Sequence, residues 1–210
     1  MIIAVLADED IKAELKEKDL AAGWEYVWVD SVSSLLMTEA DCYFDAQFEM
    51  DPERTSRLAR LLPKPVLISA VDYTLQSIGD PGFIRINGWP GMLSHSVVEL
   101  AFSDNQFGSV STVMESLGWQ FCRVPDIEGL VTPRIIAMII NEAFFAVGEG
   151  ISSREDIDRA MKQGTNYPYG PFEWLEKIGI GRILSLFISL HKGNSKYEVA
   201  PALVESSKRK

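Results

Sequence analysis

The run from Thr132 through Pro133, Ile135, Ile136, Met138, Ile139 and Ile140 to Phe144, Phe145 and Val147 is apolar on almost every face of a helix. A helix of that kind has to be covered on almost every side, so the run predicts the axis of a helical domain. Thr132 is an N-cap type of residue, and Pro133 at the first helical position forfeits no hydrogen bond. Gly148 and Gly150 stop the helix. Ser152-Ser153-Arg154-Glu155 has the capping-box pattern and starts a second helix, with Ile157, Ala160 and Met161 as its inward stripe and Gly164 at its end. Asn166-Tyr167-Pro168-Tyr169-Gly170-Pro171 makes a rigid turn before Phe172-Glu173-Trp174. Residues 181 to 190 predict a further apolar helix, and residues 197 to 204 a short last one.

The chain before this region reads differently. Ile2-Ile3-Ala4-Val5-Leu6 is a short continuous apolar run, suited to a central parallel strand buried on both faces. Residues 8 to 20 predict a helix, and Trp24-Glu25-Tyr26-Val27-Trp28-Val29-Asp30 a second strand. Residues 40 to 49 and Val66-Leu67-Ile68-Ser69 predict two more strands, with a helix opened by Asp51-Pro52-Glu53 between them. Residues 83 to 100 read as strand, turn and strand; residues 105 to 117 as helix; residues 118 to 124 as a last strand. Pro125-Asp126 marks a boundary, giving an α/β domain over residues 1–125 and an all-α domain over residues 126–210.

Asn141-Glu142-Ala143, then Asp156-Ile157-Asp158 with Ala160-Met161 and Gly164, then Pro168 and Gly170-Pro171-Phe172-Glu173, carry a resemblance. In that order they resemble the C-terminal domain of the 3-hydroxyacyl-CoA dehydrogenase family, densely between residues 118 and 190. The resemblance implies a truncated Rossmann-like α/β domain followed by an all-α domain. It also implies NAD as cofactor, an acyl-CoA-type ligand in the cleft between the domains, and a homodimer formed through the helical domain. For the motif Gly-Pro-Phe-Glu itself, a packing role and a contact with ligand both remain open.

The departures from the family fall at its functional positions. The family's glycine-rich turn belongs after the first strand, where this chain has Leu6-Ala7-Asp8-Glu9-Asp10. Glycine lets the backbone approach a pyrophosphate closely, whereas three carboxylates repel it, so ordinary tight NAD binding is not expected. Asp30 ends the second strand, where a Rossmann domain holds the adenosine ribose; it is either that contact or a plain strand-end residue. The long helical arm that helps to grip CoA in the family is missing between Asp30 and Asp41. The family's catalytic-site serine most nearly matches Asp72, and the Asn preceding Arg134 is replaced by Pro133. Aligned without gaps, the family's catalytic His falls on Asn87 and its partner on Glu99. A His–Glu pair removes the hydroxyl proton at neutral pH, while Asn can hold an oxygen but cannot take its proton. Glu99 either keeps a role beside Asn87 or is an outward strand residue. His95, eight positions on from Asn87, could turn back towards the site or stay at the surface.

A formal charge of −10 argues against a nucleic-acid partner. No apolar run reaches membrane-spanning length, and no signal peptide is visible. Cys42 and Cys122 have no metal-ligand spacing, so no metal is expected, and they fit a reducing cytoplasm. Lys208-Arg209-Lys210 reads as a solvated tail. Function divides into three readings: an active dehydrogenase, a relative that keeps the scaffold for binding or assembly, and a chain completed by a partner subunit. The expectation is a member of the dehydrogenase lineage in which NAD-dependent activity is lost or weakened.

Overall fold

Continuous burial along the first strand, Ile3 to Leu6, belongs to a sheet covered on both faces. In the computed structural model, which describes residues 1–79, 81–192 and 194–208, seven strands stand in the order β2-β1-β3-β4-β5-β6-β7. They are β1 (Ile2–Leu6), β2 (Glu25–Val29), β3 (Cys42–Asp45), β4 (Val66–Ile68), β5 (Ile84–Ile86), β6 (Val97–Ala101) and β7 (Gln120–Arg123). The first five run parallel, β6 is antiparallel to β5, and β7 is parallel to β6. Ile3 and Val5 face one core with Phe44, alongside Ile11 and Leu15 of α1 (Glu9–Glu17) and Val110, Met114 and Leu117 of α5 (Phe107–Leu117). Ala4 and Leu6 face the other, which holds Leu35 of α2 (Val32–Met37), Leu58 of α3 (Pro52–Ala59) and Leu75 of α4 (Leu75–Ile78). The sequence patterns reveal neither α2 nor α4, because six and four residues are too few to display a helical period.

The remaining helices form a second compact unit over Val131–Lys210, and the first unit is Met1–Leu130. The division falls five residues beyond Pro125-Asp126, because residues 126–130 are hydrogen-bonded into the first unit (below). α6 (Thr132–Gly148) packs against α7 (Arg154–Thr165), α8 (Pro171–Ile178), α9 (Ile180–His191) and α10 (Pro201–Ser207), as the axis of a helical unit must. Its coverage is less complete than its composition predicts. Ile136, Ile140 and Phe144 are buried, while Ile135 is 52% exposed and Met138 and Ile139 are half-buried.

Three helix ends differ from their sequence patterns by a residue or two. Val131 is the N-cap of α6, with Thr132 already helical. Ser153, whose hydroxyl accepts from the Asp156 amide at 3.1 Å, caps α7 in place of Ser152. That helix runs through Gly164 and stops at Asn166, which adopts a left-handed φ of 56°. Its stripe is shallow, with Ile157 and Met161 half-buried and Ala160 exposed. The expected last helix over residues 197–204 is two elements, a 3-10 turn at Ser195–Tyr197 and α10. Arg209 and Lys210 of the expected tail lie outside the described residues.

The family-like motifs of this unit hold its elements together. Asn141 is buried in α6 and clamps the segment before α10, donating from Nδ2 to the Glu198 carbonyl at 2.9 Å and accepting the Ala200 amide at 2.9 Å. Asp158 of α7 accepts the Phe172 amide at 2.8 Å, at the start of α8. Glu173 closes back on the Gly170 amide at 2.9 Å and pairs with Lys162. Phe172 meets Phe144 edge-on at 5.2 Å, and Arg154 lies 5.0 Å over both rings. These contacts give the Gly-Pro-Phe-Glu motif a packing role.

Candidate functional site

α/β sheets bind ligands outside the carboxyl ends of their strands, at the point where the strand order reverses. Here that point lies between β1 and β3. Ala7 and Asp8 follow β1 with no glycine, and Asp8 caps α1 by accepting the Ile11 amide at 2.9 Å. Glu9 and Asp10 occupy the first turn of the helix. The helix N-terminus therefore meets a carboxylate of its own chain where a phosphate would otherwise settle. Across the reversal, Asp45 is fully buried at the end of β3. Burial pushes its carboxyl up, against the bidentate guanidinium of Arg54 at 2.8 and 2.7 Å. Asp30, at the end of β2, is exposed and accepts the Ser34 hydroxyl at 2.7 Å. That bond, with a second from Ser31, holds its carboxyl below the usual range. Asp30 thus sits at the expected strand end, committed to the start of α2. This edge offers carboxylates and no glycine cradle, so the residues present do not fit a pyrophosphate.

Further along, β5 delivers Asn87 to its carboxyl end. Its amide nitrogen donates to the Glu99 carbonyl at 3.0 Å, the next rung of the β5–β6 ladder after Ile86 and Leu100. Residues directly opposite in an antiparallel pair project to the same face, so the ladder brings Asn87 and Glu99 together. Glu99 is half-buried and Asn87 is only 4% exposed. The Asn87 Oδ1 is buried with no hydrogen-bond partner among the described residues. A buried polar atom without a partner calls for an explanation, and a ligand hydroxyl or N–H is one. Gly88 follows because a Cβ there would stand 2.6 Å from the Ser69 Oγ and 2.7 Å from its Cβ. The next turn is fastened to α1 by Glu14, which accepts the amides of Gly91 and of Leu93, the latter at 3.1 Å. His95 does not turn back. Its side chain is exposed, and its carbonyl accepts the Lys18 ammonium at 2.6 Å. Asp72 is half-buried in the loop after β4.

Residues 129–209 match the family described as "3-hydroxyacyl-CoA dehydrogenase, C-terminal domain". These residues thus carry the C-terminal domain of that family. Among curated relatives, it is 42% identical over 86 residues to the 3-hydroxyadipyl-CoA dehydrogenase of Escherichia coli (strain K12), a match covering 40% of this chain and 18% of that protein. It is 38% identical over 106 residues to the probable 3-hydroxybutyryl-CoA dehydrogenase of Bacillus subtilis (strain 168), covering 50% of this chain and 37% of the relative. These matches span well under half of either relative's length. The fold likeness extends further. The crystal structure of (S)-3-hydroxybutyryl-CoA dehydrogenase from Ralstonia eutropha aligns with a TM-score of 0.71 at 20% identity, over 97% of this chain and 92% of that one. The chain thus shares the fold of that dehydrogenase.

Asn87, Glu99 and Asp30 stand out in the sequence, whereas Glu14 and Arg85, which fix the surrounding backbone, do not. Arg85 stands between Ile84 and Ile86, and its ion-pair partner Asp126 is 41 residues away. No local pattern links them. Among the described residues no cluster of His, Cys, Asp and Glu could hold a metal ion. No described helix is long and apolar enough to cross a membrane. Of the two free cysteines, Cys122 is exposed, and burial pushes the Cys42 thiol up to about 12.

Proposed function

We propose that this chain is a 3-hydroxyacyl-CoA dehydrogenase-related protein of cytoplasmic acyl-CoA metabolism in which NAD-dependent oxidoreduction is lost or weakened. On this reading the scaffold is kept for an acyl-CoA-type ligand, the class named for its relatives. The observation that carries it is the pairing at the end of β5: an amide, Asn87, stands across the ladder from Glu99. An amide can hold a carbonyl or hydroxyl oxygen but cannot accept the proton that leaves with oxidation. Glu99 then serves to orient Asn87 or the ligand. The acidic cap of α1 supports the same reading from the cofactor side. Calorimetric titration with acetoacetyl-CoA tests the retained site. Micromolar binding without NADH consumption is expected; absence of binding would remove the retained site, and rapid NADH consumption would reverse the loss of activity.

The same reading includes a homodimer through the helical unit. Ile135, Met138 and Ile139 are spaced to share one face of α6, and that face is incompletely covered within the chain. An apolar face of this kind favours a partner. Sedimentation should give a dimer at micromolar concentration, shifted towards monomer by Ile135→Glu. A wild-type monomer would remove this part of the proposal.

A further inference from the structure

Arg85 is fully buried, the largest of the side chains with no exposure. A guanidinium taken out of water is tolerated only where its donors are met, and the partners of this one lie on two backbone segments. Nε donates to the Ala70 carbonyl at 2.9 Å, and Nη2 to the carbonyls of Val71 and Ile127, each at 3.2 Å. Nη1 pairs with Asp126, whose two oxygens also accept the Leu75 amide at 3.0 and 2.9 Å. The Gly129 amide closes the circuit by donating to the Val71 carbonyl at 2.8 Å. The loop after β4, at the carboxyl edge that carries the candidate site, is thereby stitched to residues 126–129, the last stretch before the second unit begins.

The stitched stretch ends in strain. Gly129 and Leu130 have φ of 78° and 47°. The left-handed region suits glycine, but a leucine there costs free energy and persists only where its surroundings over-determine it. Leu130 is fully buried with Ala101 and Val124, all within the first unit. The first unit therefore holds Leu130 in this conformation by contacts of its own.

We propose that Arg85 is a positioning residue that couples the loop after β4 to the strained exit at Gly129–Leu130, so that the two segments loosen or lock together. A second-unit role in holding Leu130 is not required, and the inference stands independently of whether the chain is an active dehydrogenase.

Amide hydrogen exchange on the full chain tests it, in wild type, Arg85→Lys and Asp126→Asn. Lysine keeps the charge but cannot fork to several carbonyls. Asp126→Asn directly weakens the bonds to Leu75 and Arg85, while the Gly129 amide is bonded to Val71. Exchange at Gly129 is expected to rise about tenfold or more in Asp126→Asn, the loss of one hydrogen bond to a charged group, with the amides of β1 unchanged. Arg85→Lys should do the same if it folds. Faster exchange at Leu75 alone, with Gly129 as in wild type, would overturn the coupling. So would a rise shared equally by β1, which would mark general destabilisation.

Discussion

Gly170→Ala is expected to lower the unfolding temperature of the helical unit by about 10 °C or more. The position has φ of −74°, so glycine is not needed there for its backbone freedom. It is needed for space. A Cβ would stand 2.5 Å from the Asp158 Cα, 2.4 Å from its Cγ and 2.3 Å from Oδ1, and the nearest relief requires α7 and α8 to separate. Separation breaks the Asp158–Phe172 bond that starts α8. Overpacking costs about 1–3 kcal/mol and the charged hydrogen bond about 1.5–3 kcal/mol. Together they reach about 2.5–6 kcal/mol, and each kcal/mol moves the transition of a small domain by about 4–8 °C. Gly164→Ala is the control. It lies in α7, where an added methyl group would meet nothing within 4 Å, so it should be neutral or stabilise by up to about 1 kcal/mol. Thermal unfolding followed by circular dichroism separates the two, and equal effects would show that the close approach is not what selects glycine.

That contrast illustrates what the residues disclose unaided. The order of elements is legible because β1 is a short continuous apolar run and α6 is apolar beyond any single stripe. Helix ends are less so. Ser152 with Glu155 and Ser153 with Asp156 offer similar capping chemistry one residue apart, and Ser153 is the one that caps α7. The role of Gly170 depends on Asp158, a residue on another helix, and that of Arg85 on carbonyls from two loops, so neither has a local signature. At the candidate site the ladder from Asn87 to Glu99 follows from the strand–turn–strand pattern. The buried, unpartnered Oδ1 of Asn87 does not, because satisfaction of a polar atom is a property of the folded surroundings.

The second large effect concerns turnover. A positioned general base contributes about 10²–10⁴-fold to a proton transfer, and Asn87 provides none. Reduction of acetoacetyl-CoA by NADH, followed as NADH consumption, should therefore run at least about 100-fold slower than in a family member that has His at this position. Asn87→His alone is expected to leave the rate low, because the acidic turn after β1 is untouched by it. A wild-type rate within about tenfold of such a relative would mean that another group takes the proton. His95 is a poor candidate from its exposed position, so Glu99 would be the first to test, by Glu99→Gln.

Both lines meet at the cofactor. Asp8 holds the N-terminus of α1 with its own carboxylate, Glu9 and Asp10 add charge of the same sign, and no glycine allows the backbone to approach a pyrophosphate. Calorimetric titration of the chain with NADH tests this most directly. No saturable heat is expected up to about 1 mM, the weak end of the range for enzyme substrates. A dissociation constant in the micromolar range or tighter would contradict it.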